Sequence, residues 1–138
     1  MSGRKRKAGR GPGEAAGTAA REARARAAVE AVVAELPPDV RALAGRVAVW
    51  YDRRVARHWI ADGVEPDSLG LFSGPSLRDP DASESDEAPL ITLFLDNLWD
   101  YCGGDGDVFD EEVRRTYLHE LGHFLGLEEE DMEPRDLD

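Results

Sequence analysis

Two histidines and a glutamate near the C-terminus have the types and the spacing of a metal-dependent hydrolytic site. The segment from Phe109 to Gly126 reads FDEEVRRTYLHELGHFLG and contains His119, Glu120 and His123. Histidines four residues apart on a helix lie one turn above each other, where two imidazoles can bind one Zn²⁺ ion. The glutamate between them is then placed to act on water as a general base. The spacing predicts His119 and His123 as zinc ligands and Glu120 as the catalytic base.

A third metal ligand must come from outside this pentapeptide, because a catalytic zinc usually has three protein ligands. Gly126 can take the left-handed conformation that ends a helix and turns the chain back beneath the metal. An acidic run, 128–131, follows it. In HExxHxxGxxH zincins the third histidine has the position of Glu129, so Glu129 is the first candidate and Asp131 the second. The alternative is that this run is a solvated C-terminal tail.

Other residues that could take part in chemistry give weaker signals. Tyr51, Tyr101 and Arg115 are candidates for stabilising an oxyanion, and the sequence does not choose among them. His58 has no second histidine or carboxylate pair near it in sequence and is predicted to be a packing or surface residue. Cys102 is the only cysteine, so it cannot form an intramolecular disulfide or a thiolate cage, and it is predicted to be an inert thiol.

A helix from about Val108 to Leu125 is needed to position the two histidines. Asp107 or Asp110 can cap its start. At about 100° per residue, one arc of this helix is apolar and is predicted to face the core. The histidines lie on a roughly opposite face, as the zinc motif requires; the alternative is two surface histidines on an ordinary helix. The predicted core arc consists of Val113, Tyr117, Leu121 and Phe124, extended by Leu118 and Leu125.

A second long helix is predicted near the N-terminus. Residues 14–36 are rich in Ala, Arg and Glu, and their apolar residues recur at three- and four-residue spacing, which indicates an amphipathic helix. Pro37 and Pro38 are predicted to end it. The apolar positions are Val29, Val32, Val33 and Leu36.

Three segments have the composition of strands. Val47–Tyr51 and the weaker Leu69–Phe72 are separated by a polar connection. Leu90–Leu95 is the most apolar run in the chain and predicts a largely buried strand. If that strand forms the sheet edge above the cleft, it could pair with an extended peptide. Asn97–Tyr101 is predicted to be a short helix, so the order of elements indicates an α+β domain with its helices against one sheet.

Length and composition exclude several classes of protein. The 138 residues suit a single domain, and 17 Lys and Arg against 29 Asp and Glu give a net charge of −12. No run of 18 apolar residues exists, and the first 28 positions lack the apolar core of a secretory signal. A membrane span and export are therefore disfavoured, and we expect a cytoplasmic protein.

The positive charge is concentrated at the N-terminus. Residues 1–13 contain four Gly and one Pro and are predicted to form a disordered basic tail. A weak contact with nucleic acid or an acidic partner is the alternative to a merely solvated tail. Residues 14–138 are predicted to be one domain, with a solvated acidic loop at 78–88. The basic residues of the tail are Arg4, Lys5, Arg6, Lys7 and Arg10.

These features together resemble the small bacterial zincin-like metallopeptidases, which have a minimal zincin fold. The resemblance covers about residues 29–131, and its most specific block is VRRTYLHELGHFLGL, at 113–127. The supporting blocks are LPP at 36–38, LGLFSG at 69–74 and LITLFLDNL at 90–98.

The resemblance implies a fold, a reaction class and a set of site residues. The fold would be α+β, with a small mixed or antiparallel sheet, an N-terminal helix and an active-site helix. The activity would be zinc-dependent hydrolysis of a peptide or protein substrate. His119 and His123 would be metal ligands, Glu120 the catalytic base, and Gly126 the turn before an acidic position that matches Glu129. The alternative function is a metal-binding or partner-binding module of the same fold without proteolytic activity of its own.

The nucleic-acid alternative for the basic tail makes a measurable prediction. The tail has no aromatic side chain to stack on a base, so such a contact would be purely electrostatic. Binding to a labelled oligonucleotide, followed by fluorescence anisotropy, should fall steeply with salt and disappear when residues 4–10 are deleted. Binding that survives the deletion would place the contact elsewhere on the protein.

Overall fold

The computed structural model describes residues 12–81 and 86–127, which form five helices and three strands. The predicted α+β class is confirmed. The expected basic tail lies, up to residue 11, outside the described residues. No described helix is long and apolar enough to cross a membrane. The elements are α1 (Pro12–Glu35), α2 (Pro38–Ala44), β1 (Ala48–Asp52), α3 (Arg57–Ala61), β2 (Gly70–Ser73), β3 (Leu90–Phe94), α4 (Leu95–Tyr101) and α5 (Gly106–Leu125).

The three strands form one mixed sheet in the order β1-β3-β2. β1 pairs with β3 in parallel, with Trp50 opposite Thr92, and β2 pairs with β3 antiparallel, with Leu71 opposite Thr92. The expectation that Leu90–Leu95 could be the sheet edge is wrong, because β3 is the central strand. A continuous apolar run suits such a strand, since it is covered on both faces and paired on both sides.

Two short helices were not predicted. α2 begins at Pro38, directly after the Pro37 that was expected only to end a helix. Proline is tolerated in the first turn of a helix because its missing N–H would have no partner there. The α2 helix forms on that start, and the N–H of Arg41 donates to the carbonyl oxygen of Pro37 at 2.8 Å. α3 lies in the connection that was expected to be only polar, and its five residues are too few for a helical period to show.

The core lies between one face of the sheet and the two long helices. The predicted inward face of α1 is confirmed, with Val29, Val32 and Leu36 no more than 9% exposed. The predicted core arc of α5 is also confirmed, and its four central members are each at most 2% exposed. Burial raises the pKa of Tyr117, a member of that arc, to about 12, so its phenol stays neutral in the folded protein.

A buried carboxylate joins three elements where β3 runs directly into α4. Asp96 is 5% exposed. It accepts hydrogen bonds from the Nε of Arg53 at 2.9 Å and from the Nη1 of Arg21, in α1, at 3.4 Å. A buried charge is costly unless it is paired. The two arginines therefore allow the carboxylate to sit inside the fold, and they tie α1 and the end of β1 to α4.

The neighbouring Asn97 holds the segment that leads into β2. Its amide nitrogen donates to the carbonyl oxygens of Pro66 at 2.9 Å and Ser68 at 2.8 Å, and its amide oxygen accepts from Arg54 at 2.8 Å. The side chain is buried, so these bonds are protected from water. Asn97 consequently fixes the chain just before β2 begins.

We expect the replacement Asn97→Ala to lower the free energy of unfolding by about 2–3 kcal/mol, because it leaves two backbone carbonyls of the β2 approach without their donor. Asp100→Ala is the matched control. Asp100 binds the same Arg54 at 3.0 Å, but its side chain is 65% exposed, so its loss should cost less than about 1 kcal/mol. Urea denaturation of the two variants measures the difference, and equal losses would contradict the role given to Asn97.

Candidate metal centre

Helix α5 carries the predicted site, and its start is fixed by Asp105. The carboxylate of Asp105 accepts hydrogen bonds from the backbone N–H groups of Asp107 at 3.0 Å and Val108 at 3.1 Å. The helix begins at Gly106, earlier than expected, and neither Asp107 nor Asp110 caps it. The reason is geometric: a capping side chain must come from the residue before the first helical turn.

The side chains first expected to cap α5 instead bind α1. Asp110 accepts two hydrogen bonds from Arg24, at 2.7 and 3.0 Å, and Asp107 lies 3.5 Å from the same guanidinium. This bidentate ion pair joins the start of α5 to the middle of α1. It holds the helix that carries the histidines against the helix that covers the core.

The end of α5 is a tight left-handed turn at Gly126, where φ is +82°. The N–H of Gly126 donates to the carbonyl oxygen of His123, and that of Leu127 donates to Gly122, both at 3.0 Å. These two bonds satisfy carbonyls at the helix end and reverse the chain. The turn thus begins three residues after the second histidine, at the position that the sequence indicated.

The connection between β2 and β3 is docked on this turn. The backbone N–H of Leu77 donates to the carbonyl oxygen of Phe124 at 2.8 Å. The side chain of Arg78 lies across Gly126, so closely that a Cβ atom on the glycine would collide with the Cγ of Arg78. Position 126 therefore requires glycine for two reasons, its positive φ and the close approach of Arg78.

The structure brings His119, Glu120 and His123 together. Their candidate ligand atoms, two imidazole nitrogens and a carboxylate oxygen, all lie within 4.8 Å of one another, and all three residues are partly buried. The imidazole centroids are 4.9 Å apart, with planes inclined at 85°. Within residues 12–81 and 86–127, this is the only group of three or more potential metal-binding side chains.

The donor set fits zinc. Two imidazoles that share a zinc ion, with bonds of about 2.0–2.1 Å, must lie within a few ångströms of each other, which one helical turn provides. A general base must be within reach of water on the same ion, and Glu120 is inside the 4.8 Å group. Both imidazoles and the carboxylate belong to one rigid helix, so the group needs little rearrangement to bind the ion.

Strand β2 lies beside the face of α5 that carries this group. The Cγ2 of Thr116 is 2.6 Å from the position that a Cβ on Gly70 would have. Further along, the rings of Phe72 and Phe124 have centroids 6.0 Å apart, so β2 runs alongside the helix. His123 follows Thr116 by seven residues, almost two full turns, and therefore projects on nearly the same side. This contact between Gly70 and Thr116 had no signal in the sequence.

Two of the three oxyanion candidates lie away from the group. Tyr51 is on β1, which β3 separates from β2, and the guanidinium of Arg26 covers its ring at 4.6 Å. Tyr101 ends α4, before α5 begins, and His119 lies about 20 Å further along the axis of α5. Arg115 is one turn before His119 on the same helix. It is the candidate that remains near the histidines.

Two further residues, Cys102 and His58, match what the sequence predicted. Cys102 is buried, and burial raises the pKa of its thiol, which makes it a poor nucleophile, as predicted. His58 is exposed, with its ring 4.8 Å from that of Trp59, and is the surface residue expected. Glu129 and Asp131, the candidates for the third ligand, lie outside the described residues, and their assignment stays a prediction.

A comparison with protein families identifies a match over much of the chain. The sequence profile of the zincin-like metallopeptidases matches residues 44–138, which is more than half of the chain. The match begins at the end of α2 and includes the whole sheet and α5. No curated protein matches the chain.

We expect Gly126→Ala to destabilise the protein by about 1–2 kcal/mol through its positive φ alone, with a further loss from the collision with Arg78. The double variant Gly126→Ala/Arg78→Ala should recover only the stability that is lost through the collision with Arg78. Urea denaturation of the two single variants and the double variant separates the contributions. Strictly additive losses would mean that Arg78 does not press on this turn.

Proposed function

Because the chain belongs to the zincin-like metallopeptidase family, we propose that it is a zinc-dependent peptide hydrolase. The observation that supports this most directly is the compact group of His119, Glu120 and His123 on the outward face of α5. In the proposal the two histidines hold the metal. Glu129 is the first choice for the third protein ligand and Asp131 the second.

The residues of the group divide the chemistry among them. Bound zinc would supply a Lewis acid for the scissile carbonyl and would bring the pKa of a coordinated water towards neutrality. Glu120 takes the proton from the attacking water and returns it to the nitrogen that leaves. The imidazoles of His119 and His123 would bind the ion through ring nitrogens in their neutral form. Each role follows from the side-chain type and its place within one helical turn.

The free edge of β2 is the proposed docking site for the substrate backbone. In the described chain β2 is bonded to β3 on one side only, so its other edge presents unpaired N–H and C=O groups. Such an edge can bind an extended peptide by adding it to the sheet. Since β2 lies beside the histidine face of α5, a peptide on this edge would pass over Glu120. β3 cannot take this role, because it is the central strand of the sheet.

The proposal predicts one zinc ion per chain and hydrolysis of some members of a mixed peptide library. Glu120→Gln should keep the zinc, as measured by metal analysis, and lower kcat by roughly 10²–10⁴-fold, because it removes the general base without removing a ligand. His119→Ala should lose the zinc. Glu111→Gln is the matched control, since Glu111 is an exposed acid on the same helix, away from the histidine face.

Two results would decide against the mechanism. Full activity in the zinc-loaded Glu120→Gln protein would remove Glu120 from its role as base. Stoichiometric zinc with no turnover of any peptide would favour the alternative, a metal-binding or partner-binding module of the same fold.

A further inference from the structure

We propose that Arg115 determines substrate specificity by binding a carboxylate of the peptide, two to three residues from the bond that is cleaved. This inference rests on the proposed function and adds a substrate class to it. It is drawn from the position of Arg115 on α5, the direction of its side chain and the contrast with the neighbouring Arg114.

Arg115 lies on the same side of α5 as the histidines. Arg115 precedes His119 by four positions, so the two side chains are stacked one turn apart, about 6 Å along the helix axis. The Arg115 side chain is 57% exposed. It is therefore a cation on the open surface next to the candidate metal ligands.

An ion pair sets the direction of the guanidinium. The Nε of Arg115 lies 3.4 Å from the Oε2 of Glu112, whose side chain is only 16% exposed. Glu112 is one turn nearer the start of α5, so the guanidinium is drawn away from His119 along the helix. Within the described chain this is the one ion pair of Arg115, and the contact recorded for it is made by Nε. A guanidinium has five N–H donors, so one contact of this length leaves it able to bind a second carboxylate.

The position of the guanidinium along α5 corresponds to a distance along a bound peptide. Glu112 precedes His119 by seven residues, about 10 Å along the axis. An extended peptide advances about 3.3 Å per residue, so the guanidinium lies two to three residues from the group opposite the histidines. Since Gly70, the first residue of β2, lies against Thr116, the guanidinium lies towards the start of β2 along the axis of α5.

A carboxylate is the group that this arrangement suits best. The planar guanidinium presents its Nη groups as a fork that matches the two oxygens of a carboxylate. The chain carries 29 acidic residues against 17 basic ones, so most of its surface repels an acidic peptide. An exposed cation beside the histidines would then select the position at which an acidic group is accepted. The carboxylate could be that of an Asp or Glu side chain or of the peptide C-terminus.

The neighbouring Arg114 is a natural control. Its guanidinium lies 3.3 Å from the carboxylate of Glu35 in α1, at a comparable distance and exposure. However, it lines the groove between α1 and α5, on the other side of the helix. The two residues have the same chemistry and adjacent positions, and only one of them shares the face of His119.

The test uses zinc-loaded Glu120→Gln protein and peptides that bind without being cleaved. In matched peptides, Gln is replaced by Glu or Lys at each position up to three residues on either side of the centre, with the C-terminus amidated or free. We expect Glu at one position to bind about tenfold more tightly than Lys, as measured by calorimetry. Preference for Glu in amidated peptides identifies a side chain, and a preference found only with the free acid identifies the C-terminus.

Variants of Arg115 decide whether this residue is responsible. Arg115→Glu should reverse the order so that Lys binds more tightly than Glu, Arg115→Gln should abolish the preference, and Arg114→Glu should leave it unchanged. Arg115→Gln also guards against misfolding caused by repulsion between Glu112 and a new acid. An unchanged preference in Arg115→Gln, or no preference in the parent protein, would overturn the inference. Charge-selective binding together with no hydrolysis by the unmodified protein would instead overturn the proposed function alone.

Discussion

The packing of the apolar arc of α5 against the sheet is the constraint on which the rest of the structure depends. Val113, Tyr117, Leu121 and Phe124 are almost completely buried. At roughly 25 cal/mol per Å² of apolar surface, burying such side chains favours one rotation of the helix strongly over any other. That rotation leaves His119, Glu120 and His123 on the outside of the core. The same helix thus provides the interior of the protein and its candidate chemistry, so changes that disturb one should disturb the other.

The second requirement is a strand held beside the histidines, and polar contacts supply it. β2 has only four residues and one bonded neighbour in the described chain, so its position cannot come from the sheet alone. Asn97 fixes the approach to the strand, and the close contact of Gly70 with Thr116 sets its distance from α5. After the strand, Leu77 is bonded to the end of the helix. These contacts act together with the packing of Phe72 on Phe124 to hold β2 beside the helix.

The net charge of −12 describes this molecule poorly, because its charges act locally. The ion pair of Arg24 with Asp110 joins α1 to α5. The pair of Arg53 with Asp96 joins the end of β1 to α4. The pair of Arg115 with Glu112 lies on the face of α5 that carries the candidate site. These pairs differ in burial and hence in consequence. The buried carboxylate of Asp96 requires its partners, whereas the exposed guanidinium of Arg115 can also bind a ligand. A total charge cannot distinguish the two cases.

Local spacing in the sequence determined the α5 helix, its buried arc, the opposite face with its histidines and the glycine turn at residue 126, since each depends on neighbours within one or two turns. The tertiary structure decided that β3 is central, that Asp105 caps the helix and that α2 and α3 form. It alone placed β2 beside the histidines and left Glu112, the partner of Arg115, largely buried. These features depend on which strands pair and how side chains fold back in space. A helical period specifies the direction in which a side chain leaves its own helix but not what it meets there.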